Sequence, residues 1–321
     1  MRNKILITGS QGLIGQQLSK LFTTKGYAVV GLDNRLPSDN VNYGDILDSD
    51  VVSDRLPNID GVIHLAAVSR VIWGERDPEL CRQVNVDGTL TLLKAIARQV
   101  RKPWFIYASS REVYGQQSQL PVSEEADLFP CNVYAYSKQA AERLTFQYRD
   151  ESINTAILRF SNVYGSVTDH TDRVLPAFCR RAVNNDDLYV EGKDNLFDFT
   201  HVTDIVHGIY LASKRMDLGE QLSTIHFVTG RGTTLHEAAE YAISIAKSKS
   251  RIIEKPSRDF DVGRFVGCPA RAEEVLGWRA RILPQQGIRM FVNELISQKQ
   301  KSQGEIPDEN SKSHSRLSAA V

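Results

Sequence analysis

The sequence has no excess charge of either sign, no long apolar run and few cysteines, and each absence excludes a class of function. Its 39 Lys and Arg balance 39 Asp and Glu, so neither nucleic acid nor an anionic membrane is expected as the main partner. No run reaches the length of a membrane span and the start shows no charged-then-apolar signal pattern, so we expect a cytoplasmic protein. Cys81, Cys131, Cys179 and Cys268 form no C-x-x-C pair and the histidines do not cluster, so neither disulfides nor a metal site is predicted.

What the chain does have is a glycine pattern close to its start. An apolar run at 5–7 leads into Gly9, Gly12 and Gly15, and an amphipathic stretch follows at once. That order predicts a strand, a tight turn and a helix whose free N–H groups bind a pyrophosphate. A second apolar run ends in Asp33, which follows the glycine pattern at the sequence separation typical of a carboxylate that binds the adenosine ribose. The segment predicts a dinucleotide site, with an ordinary glycine turn of an α/β protein as the alternative.

Strand-length apolar runs alternate with helical stretches through the first half of the chain. Runs at 61–65, 104–107 and 155–158 are separated by helical patterns, as in a parallel sheet that is covered on both faces. We therefore predict an α/β fold of the Rossmann type, with a doubly wound, mainly parallel sheet and a smaller C-terminal substrate-binding lobe.

The texture of the sequence changes beyond Gly165, where loops lengthen and polar residues become more frequent. A dinucleotide-binding domain is predicted over 1–165. Two later stretches, Phe197 to Asp204 and Ile225 to Val228, read as extended, so the chain is expected to return to this domain near 197–210 and 225–229. The substrate-binding lobe is assigned to 166–196 and 230–297, and the polar stretch 298–321 to a disordered tail.

Tyr134 and Lys138 form a Y-x-x-x-K pattern on a predicted helix, where residues four apart share one face. The preceding strand ends in Ser109 and Ser110, and the carboxyl ends of parallel strands line the ligand crevice. A tyrosine base at neutral pH needs its phenolate favoured by about 4 kcal/mol, which an adjacent ammonium and a cationic nicotinamide would supply. The alternatives are structural: a packed aromatic at Tyr134, a solvated charge at Lys138 and a strand-end cap at Ser110.

Six segments spread over the chain follow the order seen in one known family. They are Thr8-Gly-x-x-Gly-x-x-Gly15, His64-Leu-Ala-Ala67, Asn85-Val-Asp-Gly-Thr89, Ser109-Ser-Arg-Glu-Val-Tyr-Gly115, Tyr134-x-x-x-Lys138 and Arg159-Phe-Ser-Asn-Val-Tyr-Gly165. Together they resemble the extended short-chain dehydrogenase/reductase family and, within it, the NAD-dependent nucleotide-sugar epimerase/dehydratase branch. The resemblance covers about residues 4 to 296 and includes closing segments at 258–261 and 274–278.

The resemblance implies NAD as cofactor and a nucleotide sugar as substrate. Tyr134 would be the general base and acid on the sugar 4-hydroxyl, Lys138 would hold the nicotinamide ribose and lower the pKa of the phenol, and Ser110 would hydrogen-bond the same hydroxyl. Substrate contacts are implied for Asn162 and, at the diphosphate, for Arg258. Cofactor contacts are implied for Tyr134 and Lys138 and for Gly9, Gln11, Gly12, Leu13, Ile14, Gly15, Asp33, Asp45, Ile46, Leu65, Ala66, Ala67 and Asn85.

Phe197 departs from the family pattern. The family that this chain resembles often has an Arg-Asp-Phe or Arg-Asp-Tyr segment, and this chain has Phe197-Asp-Phe199 at the corresponding place. A cation for the substrate diphosphate is therefore missing here, which leaves Arg258, together with Arg173 or Arg180, for that contact. The substitution weakens the prediction of a standard UDP-sugar substrate.

Arg111 and Glu112 are the second departure. Glu112 resembles the glutamate by which 4,6-dehydratases of the family remove a proton at C5, and both residues are predicted to contact substrate. In those dehydratases an Asp or Ser precedes this glutamate and assists departure of the 6-hydroxyl or shapes the site, and Arg111 stands at this helper position. A guanidinium does not release its proton near neutral pH, so elimination by the usual route is not expected. Two interpretations stay open: Arg111 binds a substrate carboxylate, or Arg111 and Glu112 form an ion pair that serves structure only.

The reaction predicted from this resemblance is 4-epimerisation through a transient 4-keto sugar. Dehydration, decarboxylation of a uronic acid and reduction of a keto-sugar are the alternatives, with a non-catalytic dinucleotide-binding regulator as the option outside enzymes. Asp33 favours NAD because a carboxylate accepts ribose hydroxyls and repels a 2′-phosphate, whereas Arg35 keeps NADP as an alternative.

The family resemblance also implies a homodimer, formed through the helices around 88–100 and 136–148. The apolar positions available for that interface are Leu93, Ile96, Val100, Ala140, Ala141 and Leu144.

Overall fold

The computed structural model describes residues 3–304. Its strands are β1 (Lys4–Thr8), β2 (Ala28–Leu32), β3 (Gly61–His64), β4 (Trp104–Ser110), β5 (Thr155–Phe160), β6 (Asn162–Tyr164), β7 (Leu188–Glu191), β8 (Leu196–Phe197), β9 (Phe199–His201), β10 (Ile225–Phe227), β11 (Thr233–Thr234), β12 (Ile252–Lys255) and β13 (Arg264–Phe265). Its α-helices are α1 (Leu13–Thr24), α2 (Ser49–Arg55), α3 (Val71–Arg76), α4 (Pro78–Arg82), α5 (Gly88–Ala97), α6 (Val133–Asp150), α7 (Val174–Asn184), α8 (Val202–Asp217), α9 (Leu235–Ala246), α10 (Ala270–Leu276) and α11 (Pro284–Gly304). A π-helical turn at Gln83–Asp87 precedes α5, and a 3-10 turn at Arg111–Tyr114 follows β4.

Six strands form one parallel sheet in the order β10-β5-β4-β3-β1-β2. Every neighbouring pair is parallel, and β1 lies between β2 and β3. Because β1 is buried on both faces, its residues 5–7 are all apolar. The strand order changes direction next to β1, and ligands of open α/β sheets bind at such a switch point. The predicted Rossmann-type fold is confirmed.

Two hydrophobic clusters cover the faces of this sheet. One contains Leu18 of α1 and Ile209 of α8, and the other contains residues of α2, α5 and α6. Leu93, Ile96 and Ala141 belong to the second cluster and are fully buried, so they are core residues and not available to a dimer interface. Leu144 packs against the same cluster, Ala140 is partly buried, and Val100 is exposed.

A third hydrophobic cluster lies in the second half of the chain, where α7, α9 and α11 pack together. Its buried residues include Leu188 of β7, Phe199 of β9 and Ile288 of α11. Small sheets accompany it: β12 with β7, β6 with β9, and β11-β8-β13. Between them the chain returns to the large sheet, because α8 packs on α1 and β10 pairs with β5. The domain boundaries drawn from the sequence stay a prediction.

Two local predictions differ from the structure. Residues 202–204 were expected to be extended but begin α8, since the His201 side chain accepts a hydrogen bond from the Thr203 amide and caps the helix. The helix α11 runs on to Gly304, so residues 298–304 are helical and do not belong to a polar tail; the rest of that prediction, 305–321, lies outside the described residues. Among residues 3–304, no helix combines the length and apolar character needed to cross a bilayer.

Candidate active site

A cleft with a volume of about 960 Å³ runs along the carboxyl ends of the parallel strands. Its walls are the turn after β1, the ends of β2, β3 and β4, the start of α6, and the segment that leads into α7. Ligand pockets of proteins commonly reach about 300–1,000 Å³, so the cleft is large enough for a dinucleotide with part of a second ligand. Residues 3–304 contain no group of three or more His, Cys, Asp and Glu side chains that would hold a metal.

The glycine turn after β1 forms one end of the cleft. Gly9 has a φ of +68°, and a Cβ there would lie 2.7 Å from the Ala66 amide nitrogen, so only glycine fits this close approach. Gly12 is the N-cap of α1 and no side chain caps the helix. The first N–H groups of α1 are therefore available to phosphate oxygens.

Asp33 lies at the end of β2, and 5% of its surface is exposed. Its Oδ2 accepts a hydrogen bond from the Gln11 amide (2.8 Å), and both carboxylate oxygens accept from the Arg35 side chain. Burial by itself would raise the pKa of Asp33, but the hydrogen bonds from Arg35 and Gln11 outweigh it and lower the pKa, so the carboxyl is ionised at neutral pH. Gln11 was predicted to contact the cofactor; it does not line the cleft, and its amide holds Asp33 instead.

His64 and Asn85 fix the wall of the cleft from behind. The His64 ring lies between the Thr8 and Thr89 hydroxyls, at 2.8 and 3.0 Å, and burial together with the charge of Lys138 lowers its pKa to about 3. Asn85 pairs with the Val68 main chain through both ends of its amide, at 2.7 and 3.1 Å. Asn85 was predicted as a cofactor residue but does not line the cleft, so it positions the loop that does.

Tyr134, Lys138 and Ser110 meet at the middle of the cleft, although they come from separate elements. The Ser110 hydroxyl at the end of β4 hydrogen-bonds the Tyr134 phenol, and Lys138 lies one turn further along α6. The Lys138 Nζ donates to the Ala108 carbonyl (2.9 Å) and lies 5.8 Å from the centre of the Tyr134 ring. Asn132 caps α6 by accepting from the Ala135 amide, which fixes the start of the helix that carries the phenol.

Burial shifts the pKa values of the phenol and the ammonium towards their neutral forms. It raises the pKa of Tyr134 to about 12, although the hydrogen bond from Ser110 partly offsets the effect. Burial also lowers the pKa of Lys138 to about 8, and the nearby Cys81 and Glu142 oppose that shift. At pH 7 Lys138 is therefore mainly protonated and places a positive charge beside the phenol.

Arg111 and Glu112 form an ion pair inside the cleft. Arg111 Nη2 lies 2.8 Å from Glu112 Oε1, and both side chains are more than nine-tenths buried. The other oxygen of Glu112 accepts from the Asn132 amide (3.0 Å). The ion pair that one of the two interpretations predicted is therefore present in the structure. For the other interpretation, a substrate carboxylate at Arg111 would have to compete with Glu112 for the guanidinium.

Arg111 also connects the two departures from the family pattern. Its guanidinium lies 4.6 Å from the centre of the Phe197 ring, within the range of a cation–π contact. Its Nε donates to Asn162 Oδ1 (2.7 Å) and its Nη1 to the Val262 carbonyl (3.3 Å). Phe197 therefore supplies the surface on which Arg111 lies.

Three further arginines are candidates for contact with a substrate diphosphate. Arg258 lines the cleft and is held by Asp261, with 2.8 Å between Nε and Oδ2. Arg173 also lines the cleft, where its Nη1 donates to the Val163 carbonyl (3.4 Å). Arg180 does not line the cleft, because it points to the Val167 carbonyl (2.6 Å).

Four residues that cover the cleft near Tyr134 were not predicted from the sequence. Arg70 forms an ion pair with Asp172, and the Trp73 ring meets His170 edge to face, with 4.9 Å between ring centres. All four line the cleft and join the loop after β3 to the segment before α7. Only Arg70 carried a usable signal, since it closely follows the His64–Ala67 segment.

Most of the remaining predicted residues line this one cleft. They are Gly9, Gly12, Leu13, Ile14, Gly15, Asp33, Asp45, Ile46, Leu65, Ala66, Ala67, Ser110, Arg111, Glu112, Tyr134, Lys138, Asn162 and Arg258. The ionised carboxylate after β2, the free N-terminus of α1 after β1 and the phenol–ammonium pair beside β4 follow one another in the order of the strands. That order fits the adenosine ribose, the pyrophosphate and the nicotinamide of NAD.

Comparison with known proteins identifies relatives over most of the chain. A model of the NAD dependent epimerase/dehydratase family matches residues 5–227. The GDP-6-deoxy-D-mannose reductase of Pseudomonas aeruginosa is 28% identical over 92% of this chain and 97% of its own. The UDP-glucose 4-epimerase of Thermotoga maritima, solved with UDP-glucose, superposes with a TM-score of 0.84 at 25% identity, covering 93% of this chain and 99% of that one. The protein RMD of Pseudomonas aeruginosa, solved with NADPH, superposes with a TM-score of 0.81 at 28% identity, covering 92% and 99%.

Proposed function

Because the chain belongs to the NAD-dependent epimerase/dehydratase family, an NAD-dependent family of enzymes, we propose that it is a 4-epimerase of a nucleotide-activated sugar. The observation that carries the proposal is the meeting of Tyr134, Ser110 and Lys138 in the cleft. A hydroxyl, a phenol and an ammonium at these positions can take a proton from a sugar hydroxyl and return it.

The proton steps follow from the charges around Tyr134. The hydrogen bond from Ser110 lowers the pKa of the Tyr134 phenol against the effect of burial. The positive charges of Lys138 and of a bound nicotinamide would lower it further, so that a phenolate can form and remove the proton of the 4-hydroxyl. NAD, which the glycine turn after β1, Asp33 and Lys138 would hold, would supply the acceptor and donor of the C4 hydride. After the 4-keto sugar has turned its other face to the cofactor, Tyr134 gives the proton back to the oxygen, and the configuration at C4 is inverted. The cofactor ends in its starting state, so no second redox substrate is needed.

The Arg111–Glu112 pair argues against elimination of the 6-hydroxyl. In that reaction a carboxylate removes the C5 proton, and here the Glu112 carboxylate is held by Arg111 at one oxygen and by Asn132 at the other. The partner at the helper position is a guanidinium, which cannot donate its proton to a leaving hydroxyl. Epimerisation needs neither group, so the arrangement supports the proposal over dehydration.

A second candidate is the net reduction of a keto-sugar, which uses the same three residues. Two observations favour it over dehydration and decarboxylation: a reductase of Pseudomonas aeruginosa is among the relatives, and Arg35 lies at the ribose end of the cleft. A reductase would consume one reduced cofactor per turnover, whereas the epimerase would consume none.

Product analysis distinguishes these reactions. The protein is incubated with a panel of UDP-, dTDP- and GDP-sugars, and products are followed by mass spectrometry and by NMR of the C4 proton. Unchanged mass with inversion at C4 supports epimerisation. A loss of water would indicate dehydration, and a loss of carbon dioxide would indicate decarboxylation. A gain of two hydrogens from NADH or NADPH with a keto-sugar would indicate reduction, and any of these three results would refute epimerisation. Tyr134→Phe is the inactive control.

We also propose that the protein is a cytoplasmic homodimer that pairs through α5 and α6. Val100, Tyr136 and Phe146 support this as exposed apolar or aromatic side chains on or next to these helices. Light scattering of the purified protein tests it, and a monomeric mass that persists at high concentration would refute it.

A further inference from the structure

Arg35 is placed so that it changes the chemistry of the ribose-binding end of the cleft. Its Nε and Nη2 each lie 3.0 Å from one oxygen of Asp33, which makes a two-pronged ion pair. The main-chain amides of Gln11 and Arg35 donate to the same two oxygens, at 2.8 and 3.0 Å. Asp33 thus already accepts four hydrogen bonds, about the full capacity of a carboxylate.

This saturation matters because a carboxylate discriminates between dinucleotides in two ways. It accepts hydrogen bonds from the ribose hydroxyls of NAD, and it repels the 2′-phosphate of NADP. With its lone pairs occupied and its charge neutralised by Arg35, Asp33 does both less strongly. The nearby carboxylate of Asp45 is held by the Asn34 amide (3.3 Å) and by the Leu47 main chain (2.9 Å).

The free side of Arg35 adds an attraction for an anion. A guanidinium has five N–H groups, and Asp33 uses two of them. The other N–H groups find no acceptor within residues 3–304, and 49% of the side chain is exposed. Nη2 lies only 3.7 Å from the point where a Cβ on Gly12 would stand, so the guanidinium lies against the glycine turn and lines the cleft.

We propose that Arg35 makes a 2′-phosphate subsite and that the protein binds NADP as well as NAD, with affinities of similar size. Arg35 covers the carboxylate that would otherwise exclude NADP and offers its free N–H groups to the phosphate in a charge-assisted contact. This inference rests on the ribose end of the cleft and does not depend on the proposed sugar reaction.

Equilibrium binding of NADH and NADPH, followed by nicotinamide fluorescence without any sugar, tests the subsite. ADP-ribose and 2′-phospho-ADP-ribose, which differ only in the phosphate, serve as competitors. In the wild-type protein we expect the two reduced cofactors to have dissociation constants within about tenfold of each other. Replacing Arg35→Ala should widen that ratio against NADPH by about tenfold or more, because one charge-assisted hydrogen bond is lost and Asp33 is uncovered.

Arg35→Lys is the matched control, since it keeps the positive charge without the two-pronged contact to Asp33, and its ratio should fall between those of wild type and Arg35→Ala. Raised salt should weaken NADPH more than NADH in the wild type and less than NADH in Arg35→Ala, where salt screens the repulsion between Asp33 and the 2′-phosphate. An unchanged NADPH/NADH ratio in Arg35→Ala would overturn the proposal. So would NADPH binding in the wild type that is more than about a hundredfold weaker than NADH binding. Neither result depends on which sugar reaction the product analysis finds.

Discussion

The Arg111 guanidinium lies on the Phe197 ring, 4.6 Å from its centre, and this contact joins the two positions that the sequence marked as differing from the expected family pattern. At the position where the family resemblance led us to expect a cation, Phe197 provides an aromatic face, and the guanidinium of Arg111 from the 3-10 turn after β4 lies upon it. Arg111 in turn holds Glu112 and Asn162, two further residues of the cleft. The substitutions are therefore coupled, and several predictions depend on that coupling.

Removing one partner of the Arg111–Glu112 pair should be costly. Arg111→Met leaves the buried Glu112 without its cation, and we expect a loss of about 3 kcal/mol of unfolding free energy, measured by urea denaturation at pH 7. The double variant Arg111→Met/Glu112→Gln should recover most of that loss, since neither charge remains. If the double variant is as unstable as the single one, the destabilisation comes from lost packing on Phe197 and not from an unpaired charge.

Placing at position 197 the arginine that the resemblance led us to expect should destabilise the protein. Phe197→Arg places a second guanidinium against Arg111, and we expect a loss of about 2–3 kcal/mol from the buried like charges and the lost aromatic contact. Phe197→Leu keeps an apolar surface and should cost only about 1 kcal/mol. Unchanged stability of Phe197→Arg together with a lower KM for a nucleotide sugar would show that Arg111 does not occupy this place.

Tyr134→Phe removes the proposed acid and base without removing the ring. Turnover should fall by about 10²–10⁴-fold, while NADH affinity changes little because Lys138 and Asp33 are intact. The measurement is the rate of C4 inversion beside the dissociation constant for NADH. Tyr136→Phe is the matched control on the same helix, since Tyr136 is 59% exposed, and it should behave as wild type. Equal loss in both variants would point to damage to α6 instead of to the reacting phenol.

His64 should make the protein less stable in mild acid. Its pKa is about 3 in the folded state against 6.5 for an unperturbed histidine, so between these values the unfolded chain binds a proton that the folded one does not. The contribution of this group is complete above pH 6.5 and is lost as the pH falls, by about 2 kcal/mol between pH 7 and pH 5.

Urea denaturation at pH 7 and pH 5 measures the fall in unfolding free energy between the two pH values. In His64→Asn this fall should be smaller than in the wild type by about 2 kcal/mol. His236→Asn serves as the comparison, because the His236 side chain is 38% exposed, and it should leave the pH dependence as in wild type. The same pH dependence in all three proteins would mean that His64 gains its proton without cost.

Local pattern was enough to predict the parts of the site that depend on neighbours in the chain. Three glycines after a short apolar run require a turn that only residues without a side chain can form, and Gly9 has the positive φ expected of it. Tyr134 and Lys138 are four residues apart, and helix periodicity alone predicts that their side chains share one face. The alternation of apolar runs and helices likewise specified a parallel sheet, because strands buried on both faces leave a continuous apolar signature.

Contacts between distant segments were decided only by the tertiary structure. Gln11 and Asn85, which stand inside the matching segments, stay predicted cofactor residues; the structure adds that the Gln11 main-chain amide donates to Asp33 and that the Asn85 side chain accepts from the Val68 amide. The contact of Arg111 with Phe197 depends on how the 3-10 turn after β4 and the end of β8 meet at the cleft. Sequence periodicity records which face of an element is buried; which buried charges find each other depends on the packing of elements far apart in the chain, and no local pattern contains that information.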